Sequence, residues 1–151
     1  MQTTVTPQYL AGLVDGEGCI HLGVTKGTYR GRVTIGMTEV ALPLLKSLQA
    51  QWRGGIYCSR QATDKWSAAW VWSVQGEPAR ELLMAIEPHL LLKKRQAQLA
   101  LEVEQIRSRL PRRPNGSGAW TPEARMACER IKERLHTLNA KGPRARDAEE
   151  N

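Results

Sequence analysis

The sequence has no apolar run long enough to cross a bilayer. Its best runs, Leu82-Leu83-Met84-Ala85-Ile86 and Leu90-Leu91-Leu92, fall far short of the ~20 residues a membrane helix needs. The opening Met1-Gln2-Thr3-Thr4-Val5-Thr6-Pro7 lacks the basic and apolar regions of a secretion signal. Cysteine is scarce: three residues, at 19, 58 and 128, with no Cys-x-x-Cys, while the histidines at 21, 89 and 136 are scattered. The expectation is therefore a protein without a zinc site or disulfide scaffold, unattached to membrane and not secreted, working inside the cell in a reducing compartment.

What is present is ordinary in bulk and uneven in charge. The 151 residues are 41% hydrophobic and 25% charged, enough for one folded domain with an appended segment. Residues 1–106 carry 11 basic and 9 acidic side chains, net +2, and residues 107–146 carry 11 basic and 3 acidic, net +8. The last five residues contribute −3, giving +7 overall. Arginine outnumbers lysine 15 to 7, and its planar guanidinium suits bidentate contact with phosphate. A polyanionic partner is the first expectation.

Periodicity orders the elements. Thr6-Pro7 reads as an N-cap with proline at the first helical position, and Tyr9, Leu10, Leu13 and Val14 supply an apolar face before Gly16-Glu17-Gly18 stops the helix. From Gly18 the period becomes two. Ile20, Leu22 and Val24 alternate with Cys19, His21, Gly23 and Thr25, and after a turn at Lys26-Gly27, Val33, Ile35 and Met37 alternate with Arg30, Arg32, Thr34 and Gly36. Thr38 is expected to cap a second helix through Leu44, Leu45 and Leu48 to Trp52, with Pro43 kinking it. A second hairpin follows, Ile56–Arg60 and Trp66–Gln75, whose stripe of Trp66, Ala68, Trp70, Trp72 and Val74 is expected as core rather than as a base-stacking platform. Helices are predicted over 78–87, over 89–109 after Pro88, and from Thr121-Pro122 to Asn139 along Ala124, Ala127 or Cys128, Ile131, Leu135 and Leu138. This order predicts an α+β fold: a four-stranded antiparallel sheet with helices on one face and the polar face open. The divisions expected are a core at 1–110, a basic linker at 111–119, a C-terminal helix at 120–140 and a disordered tail at 141–151.

One stretch carries specific chemistry: Leu10-Ala11-Gly12-Leu13-Val14-Asp15-Gly16-Glu17-Gly18. Gly12 and Gly16, four apart, stack on one helical face and permit close approach of a second backbone. Asp15 and Glu17 stand at the helix C-terminus, where the macrodipole repels acids and favours a cation. Pairing with a second copy would bring two Glu17 carboxylates together, an arrangement relieved by a divalent ion, and oxygen ligands favour Mg²⁺. By spacing alone, a glycine-terminated helix with a solvated acidic turn is an equal reading.

This nonapeptide resembles the motif of the LAGLIDADG homing endonucleases, with valine for isoleucine and Gly-Glu for Ala-Asp. The resemblance extends through Ile20–Val24, Val33–Glu39 leading into Leu44–Leu48, Gly54–Tyr57, Trp72–Gly76, Glu87–Gln96 and Ile131–Asn139. It points to the compact single-motif members, which act as homodimers. The implied fold is an αββαββα core with a saddle-shaped antiparallel sheet and C-terminal helices. The implied function is site-specific, Mg²⁺-dependent hydrolysis of double-stranded DNA at a long pseudo-palindromic target, with other divalent ions able to substitute.

Carried over residue by residue, the resemblance makes Glu17 the essential metal-binding acid and Gly16 a carbonyl ligand, and gives Asp15 a structural role. Lys93, two turns into the helix after Pro88, becomes the basic residue of the active site, with Lys94 its neighbour. Glu39, closing the second strand, becomes the residue that orders water. Gly12, Gly16 and Ala11 become the dimer interface. The open sheet face would read the major groove through His21, Gly23 and Thr25, through Arg30, Arg32, Thr34 and Gly36, and through Arg60, Ser73 and Gln75. Basic residues after 107 would hold phosphates. Two alternatives stand beside this reading: a catalytically silent DNA-binding regulator of the same fold, and an intron maturase binding RNA.

Overall fold

A computed structural model describes residues 3–140; the tail expected at 141–151 lies outside the described residues. Thr6 caps the first helix, α1 (Pro7–Glu17), its hydroxyl accepting the Tyr9 N–H at 3.2 Å. Gly18 ends α1 and begins β1 (Gly18–Thr25), which turns through Lys26 (φ 50°) and Gly27 (φ 72°) into β2 (Thr28–Thr38). Two successive positive φ angles are the geometry whose twist matches a two-residue hairpin. After a 3₁₀ turn (Glu39–Ala41) come α2 (Leu42–Trp52), β3 (Gly55–Arg60), β4 (Ala69–Gln75) and α3 (Glu77–Ile86). A second 3₁₀ turn (Glu87–His89) precedes α4 (Lys94–Ser108), and α5 (Pro122–Asn139) closes the described chain.

The strands form one antiparallel sheet in the order β1-β2-β4-β3. Its inner face presents Ile20, Val33, Ile35, Trp72 and Val74, all at most 1% exposed, to Leu10 and Val14 of α1, Leu45 and Leu48 of α2, and Leu82, Leu83 and Ile86 of α3. A second cluster joins Leu22 and Tyr29 of the first hairpin to Leu99 and Val103 of α4 and to Cys128, Ile131 and Leu135 of α5. The 3.6-residue stripe expected in the last helix is thus its buried side. Among the described residues no helix packs over the sheet's other face along the central strands, since every helix contributes buried apolar residues to these two clusters.

Four expectations are corrected. Thr38 does not cap α2 through its side chain; the chain first makes the 3₁₀ turn, and α2 starts at Leu42. Pro43 therefore falls in the first turn of α2, where a missing N–H costs nothing, and does not kink the helix. The second strand of the second hairpin starts at Ala69, not Trp66. Trp72 is fully buried and donates its indole N–H to the Arg53 carbonyl at 2.8 Å, whereas Trp66 stands 62% exposed in the hairpin loop under the Arg60 guanidinium, 5.6 Å from the ring centre. The long helix begins at Lys94 rather than 89, after the 3₁₀ turn and the open stretch Leu90–Lys93.

The basic stretch at 111–119 closes on itself. Arg112 and Gly118 form a β-bridge, Arg113 N–H donates to the Ser117 carbonyl at 2.7 Å, and Ala119 N–H donates to the Pro111 carbonyl at 2.7 Å. Gly54 (φ 87°) is demanded by space as well as by its dihedral, because a Cβ there would lie 2.6 Å from the Ser73 carbonyl oxygen.

Removing the Trp72 side chain should cost about 3–5 kcal/mol in urea unfolding, while Pro43→Ala should shift stability by no more than ~0.5 kcal/mol. The Tyr29 hydroxyl donates to Glu129 Oε2 at 2.6 Å, and this bond, with burial and the carboxylate charge, pushes the Tyr29 pKa up to about 12. A folded pKa above the unfolded value of ~10 gives stability that is intact below pH 10 and lost as pH rises through 12. Tyr29→Phe should abolish that alkaline component when wild-type and variant urea midpoints are compared across pH 9–12.

Candidate active site and nucleic-acid interface

The last turn of α1 meets the turn that leads into α4. Asp15 accepts the backbone N–H groups of Leu91 at 2.8 Å, Leu92 at 3.1 Å and Lys93 at 2.9 Å. These bonds hold Leu90–Lys93 in an open turn, so α4 cannot begin before Lys94. Lys93 is consequently the residue that caps α4, not one two turns inside it. Its ammonium reaches back to the end of α1, donating to the Val14 carbonyl at 3.0 Å and the Gly18 carbonyl at 2.5 Å. A cation there offsets the negative end of the helix dipole.

Glu17 lies between these two carbonyls in sequence and is exposed; among the described residues it makes no hydrogen bond or ion pair. Glu17 and Lys93 are therefore brought to the same helix end. Glu39 is not brought equally close. It opens the 3₁₀ turn four residues past Ile35, the partner of Gly18, or ~13 Å further along the strand direction. Its side chain is exposed, and its N–H donates to the Ala68 carbonyl at 2.9 Å.

Gly12 and Gly16 lie on the exposed side of α1, and a Cβ at either would meet nothing within 4 Å. Ala11 is different. It is fully buried in the core, so the expectation that it lines the same outer face is corrected. Large exposed apolar side chains flank this helix: Tyr9 at 57%, Leu91 at 90% and Leu92 at 75%. Among the described residues no group of three or more His, Cys, Asp or Glu side chains could hold a metal. A single copy offers the Glu17 carboxylate and the Gly16 carbonyl, hard oxygen donors of the right kind for Mg²⁺ but too few to complete its shell.

On the open face, register aligns the sequence-derived candidates in rows. His21, Arg32 and Gln75 face one another across three strands, and Thr34 lies between Cys19 and Ser73. Arg32 donates to Gln75 Oε1 through Nη2 at 2.7 Å and Nε at 3.2 Å. Gly23 makes room for that pair, since a Cβ there would sit 3.0 Å from Arg32 Nη2. Burial, then the neighbouring Arg32 charge, lowers the His21 pKa and keeps the imidazole neutral near pH 7. Arg60 reaches this face only because an irregularity between Cys58 and Arg60 shifts the pairing and sets it opposite Ala69. Thr25 and Arg30 lie at the hairpin end, Arg30 exposed and lining a cleft beyond the sheet. Tyr57, 54% exposed and paired with Val71, belongs to the same face and was missed; its alternation with Ile56 and Cys58 is the signal that could have found it.

Comparison with known proteins gives a one-sided result. No protein-family profile and no curated protein matches the chain. Solved structures do match. The homing endonuclease I-CvuI, in complex with its target in the presence of Ca, aligns over 95% of this chain and 90% of its own, with TM-score 0.69 and 21% identity. The homing endonuclease I-TnaI aligns over 98% and 99%, with TM-score 0.62 and 18% identity. The LAGLIDADG meganuclease I-AabMI, bound to uncleaved DNA, aligns over 85% of this chain but only 44% of its own, with TM-score 0.61 and 20% identity. The α1 motif, the sheet order and the helices behind it thus come together in one architecture, and the chain has the fold of the LAGLIDADG homing endonucleases.

Proposed function

We propose that this chain is a site-specific DNA endonuclease that works as a homodimer and requires a divalent cation. The observation that carries the reading is α1 itself: a bare Gly12/Gly16 face, flanked by exposed apolar side chains, leading to an unpartnered carboxylate beside a fixed ammonium. One copy leaves that face uncovered and its metal ligands incomplete; a second copy on a two-fold axis supplies both deficits and implies a pseudo-palindromic duplex. The alignment to nearly all of I-TnaI but under half of I-AabMI supports a unit that is used twice.

Glu17 and the Gly16 carbonyl of each copy would hold Mg²⁺. When bound, the cation supplies positive charge that polarises a phosphodiester and acidifies water. Lys93 spends two of its three donors on the Val14 and Gly18 carbonyls, which leaves one donor and a full charge directed at phosphate. Asp15 positions Lys93 by gripping its backbone. Glu39 sits outside this core and orders solvent at the strand end. His21, Arg32, Thr34, Ser73, Gln75 and Tyr57 line the open face that reads the major groove, with Thr25 and Arg30 at its outer end and Arg60 at its inner end. Arginine there recognises guanine in bidentate fashion.

Two results test this. With targets selected by cleavage from a randomised duplex pool, Glu17→Gln should abolish Mg²⁺-dependent cutting and leave divalent-independent binding essentially unchanged. A variant that cuts at the native rate would remove Glu17 as ligand, and failure of the native chain to cut any duplex would favour the silent regulator. Gly12→Leu should stabilise the isolated helix by up to ~1 kcal/mol yet convert a dimer to a monomer in sedimentation, because only a second helix needs that space.

A further inference from the structure

Where β2 outruns β4, a cleft of about 450 Å³ opens between the first hairpin, the end of α4, the closed loop at 111–119 and the start of α5. Lys26, Arg30, Arg112, Arg113 and Arg125 line it, with Trp120 in its wall. Two acids are also present, but both are already engaged. Glu104 is buried, accepts Arg107 Nη1 at 2.6 Å and the Gly31 N–H at 2.9 Å, and its pKa is raised by burial despite these partners. Glu77 is bridged to Arg80 at 3.1 Å. Among the described residues Lys26, Arg30, Arg113 and Arg125 have no acidic partner.

Part of the cluster is held in place. Arg112 Nη1 donates to the Gly116 carbonyl at 3.1 Å, the 111–119 loop is cross-bonded, and the Arg125 guanidinium lies over Gly27, 3.5 Å from where its Cβ would be. Guanidinium groups gathered around one space repel one another unless an anion neutralises them. A row of phosphates does so, and the planar forks match its geometry.

The position of the cleft says which phosphates. Glu17 stands at the start of β1 and the cleft at its far end, seven residue steps away from Gly18 to Thr25, or ~23 Å. Resting on the DNA-binding reading above, we infer that this cleft grips the duplex backbone outside the base pairs read by the sheet. At 3.4 Å per base pair, the gripped phosphates lie no further than about seven base pairs from the cut, because a strand inclined to the duplex axis spans fewer. The cleft adds affinity and fixes the angle at which the flank leaves the protein, without adding sequence preference.

The test is a ladder of duplexes sharing one selected core and lengthened one base pair at a time. Native protein should gain roughly tenfold in affinity between duplexes ending about four and about ten base pairs outside each cut, and the salt slope should steepen by ~0.9 per phosphate added. Arg113→Gln/Arg125→Gln should bind the shortest duplex as the native chain does and lose both the step and the steepening. A variant that weakens all lengths equally, or none, overturns the inference while leaving the endonuclease reading intact. Arg113-dependent binding of free pyrophosphate with no length step would assign the cleft to a small anion instead. Absence of binding to every duplex would overturn both readings.

Discussion

The junction between the end of α1 and the start of α4 is the constraint on which the site depends. An aspartate in the last turn of a helix is misplaced with respect to its own dipole. Here it is turned outward onto three N–H groups that would otherwise be unsatisfied at the approach to another helix. In return, Lys93 places a positive charge on the carbonyl end of α1. Each helix end thus receives the charge it lacks from the other. The exchange fixes Lys93 beside Glu17 although the two are 76 positions apart in the chain, and it leaves Glu17 itself uncommitted. It also explains why Leu91 and Leu92 are exposed within the single chain: their backbones, not their side chains, are held, which leaves the side chains beside the α1 face.

The sheet separates its packed face from its open face by parity alone. Even positions in β1 and odd positions in β2 face the helices, and the opposite set faces outward. A one-residue slip would exchange the two sets, so burial of Ile20, Val33 and Ile35 fixes where His21, Arg32 and Thr34 point. The missing side chain at Gly23 matters in the same way. It permits the Arg32–Gln75 pair to lean across β1, and that pair's charge is one cause of the lowered His21 pKa. The outward surface is therefore a coupled set of hydrogen-bonding groups and not independent side chains on a plane.

This division explains what could be read from the sequence. The two hairpins, the Thr6-Pro7 and Thr121-Pro122 helix starts, and the stripe from Cys128 to Leu135 rest on local rules and were legible. The start of α4 was not, since it is set by a carboxylate far away in the chain. Trp66 fits the period of its neighbours but lies where the hairpin has lost its cross-strand pairing, and only the three-dimensional register reveals that. Ala11 failed for a simpler reason: a small residue beside Gly12 looks like interface, but it points the other way around the helix. Arg60 was placed on the open face by position in its strand, and reaches it through an irregularity that no pattern in the residues announces.

The C-terminal helix answers a different problem. β1 is an edge strand, and an exposed edge invites pairing with other chains. α5 covers it: Asn139 Nδ2 donates to the Ile20 carbonyl at 2.8 Å, Leu135 and Ile131 pack under the hairpin, and Glu129 receives the Tyr29 hydroxyl. The same docking brings Arg125 against Gly27 and Trp120 within 5.5 Å of the Tyr29 ring. The start of α5 is thereby anchored at the end of the sheet furthest from Glu17, and the helix runs back along β1 to Ile20. Had residues 107–140 been only a charged tail, their positive charge would have no fixed position. Packed as they are, part of that charge has a place, a distance from the carboxylate and a direction along the strand.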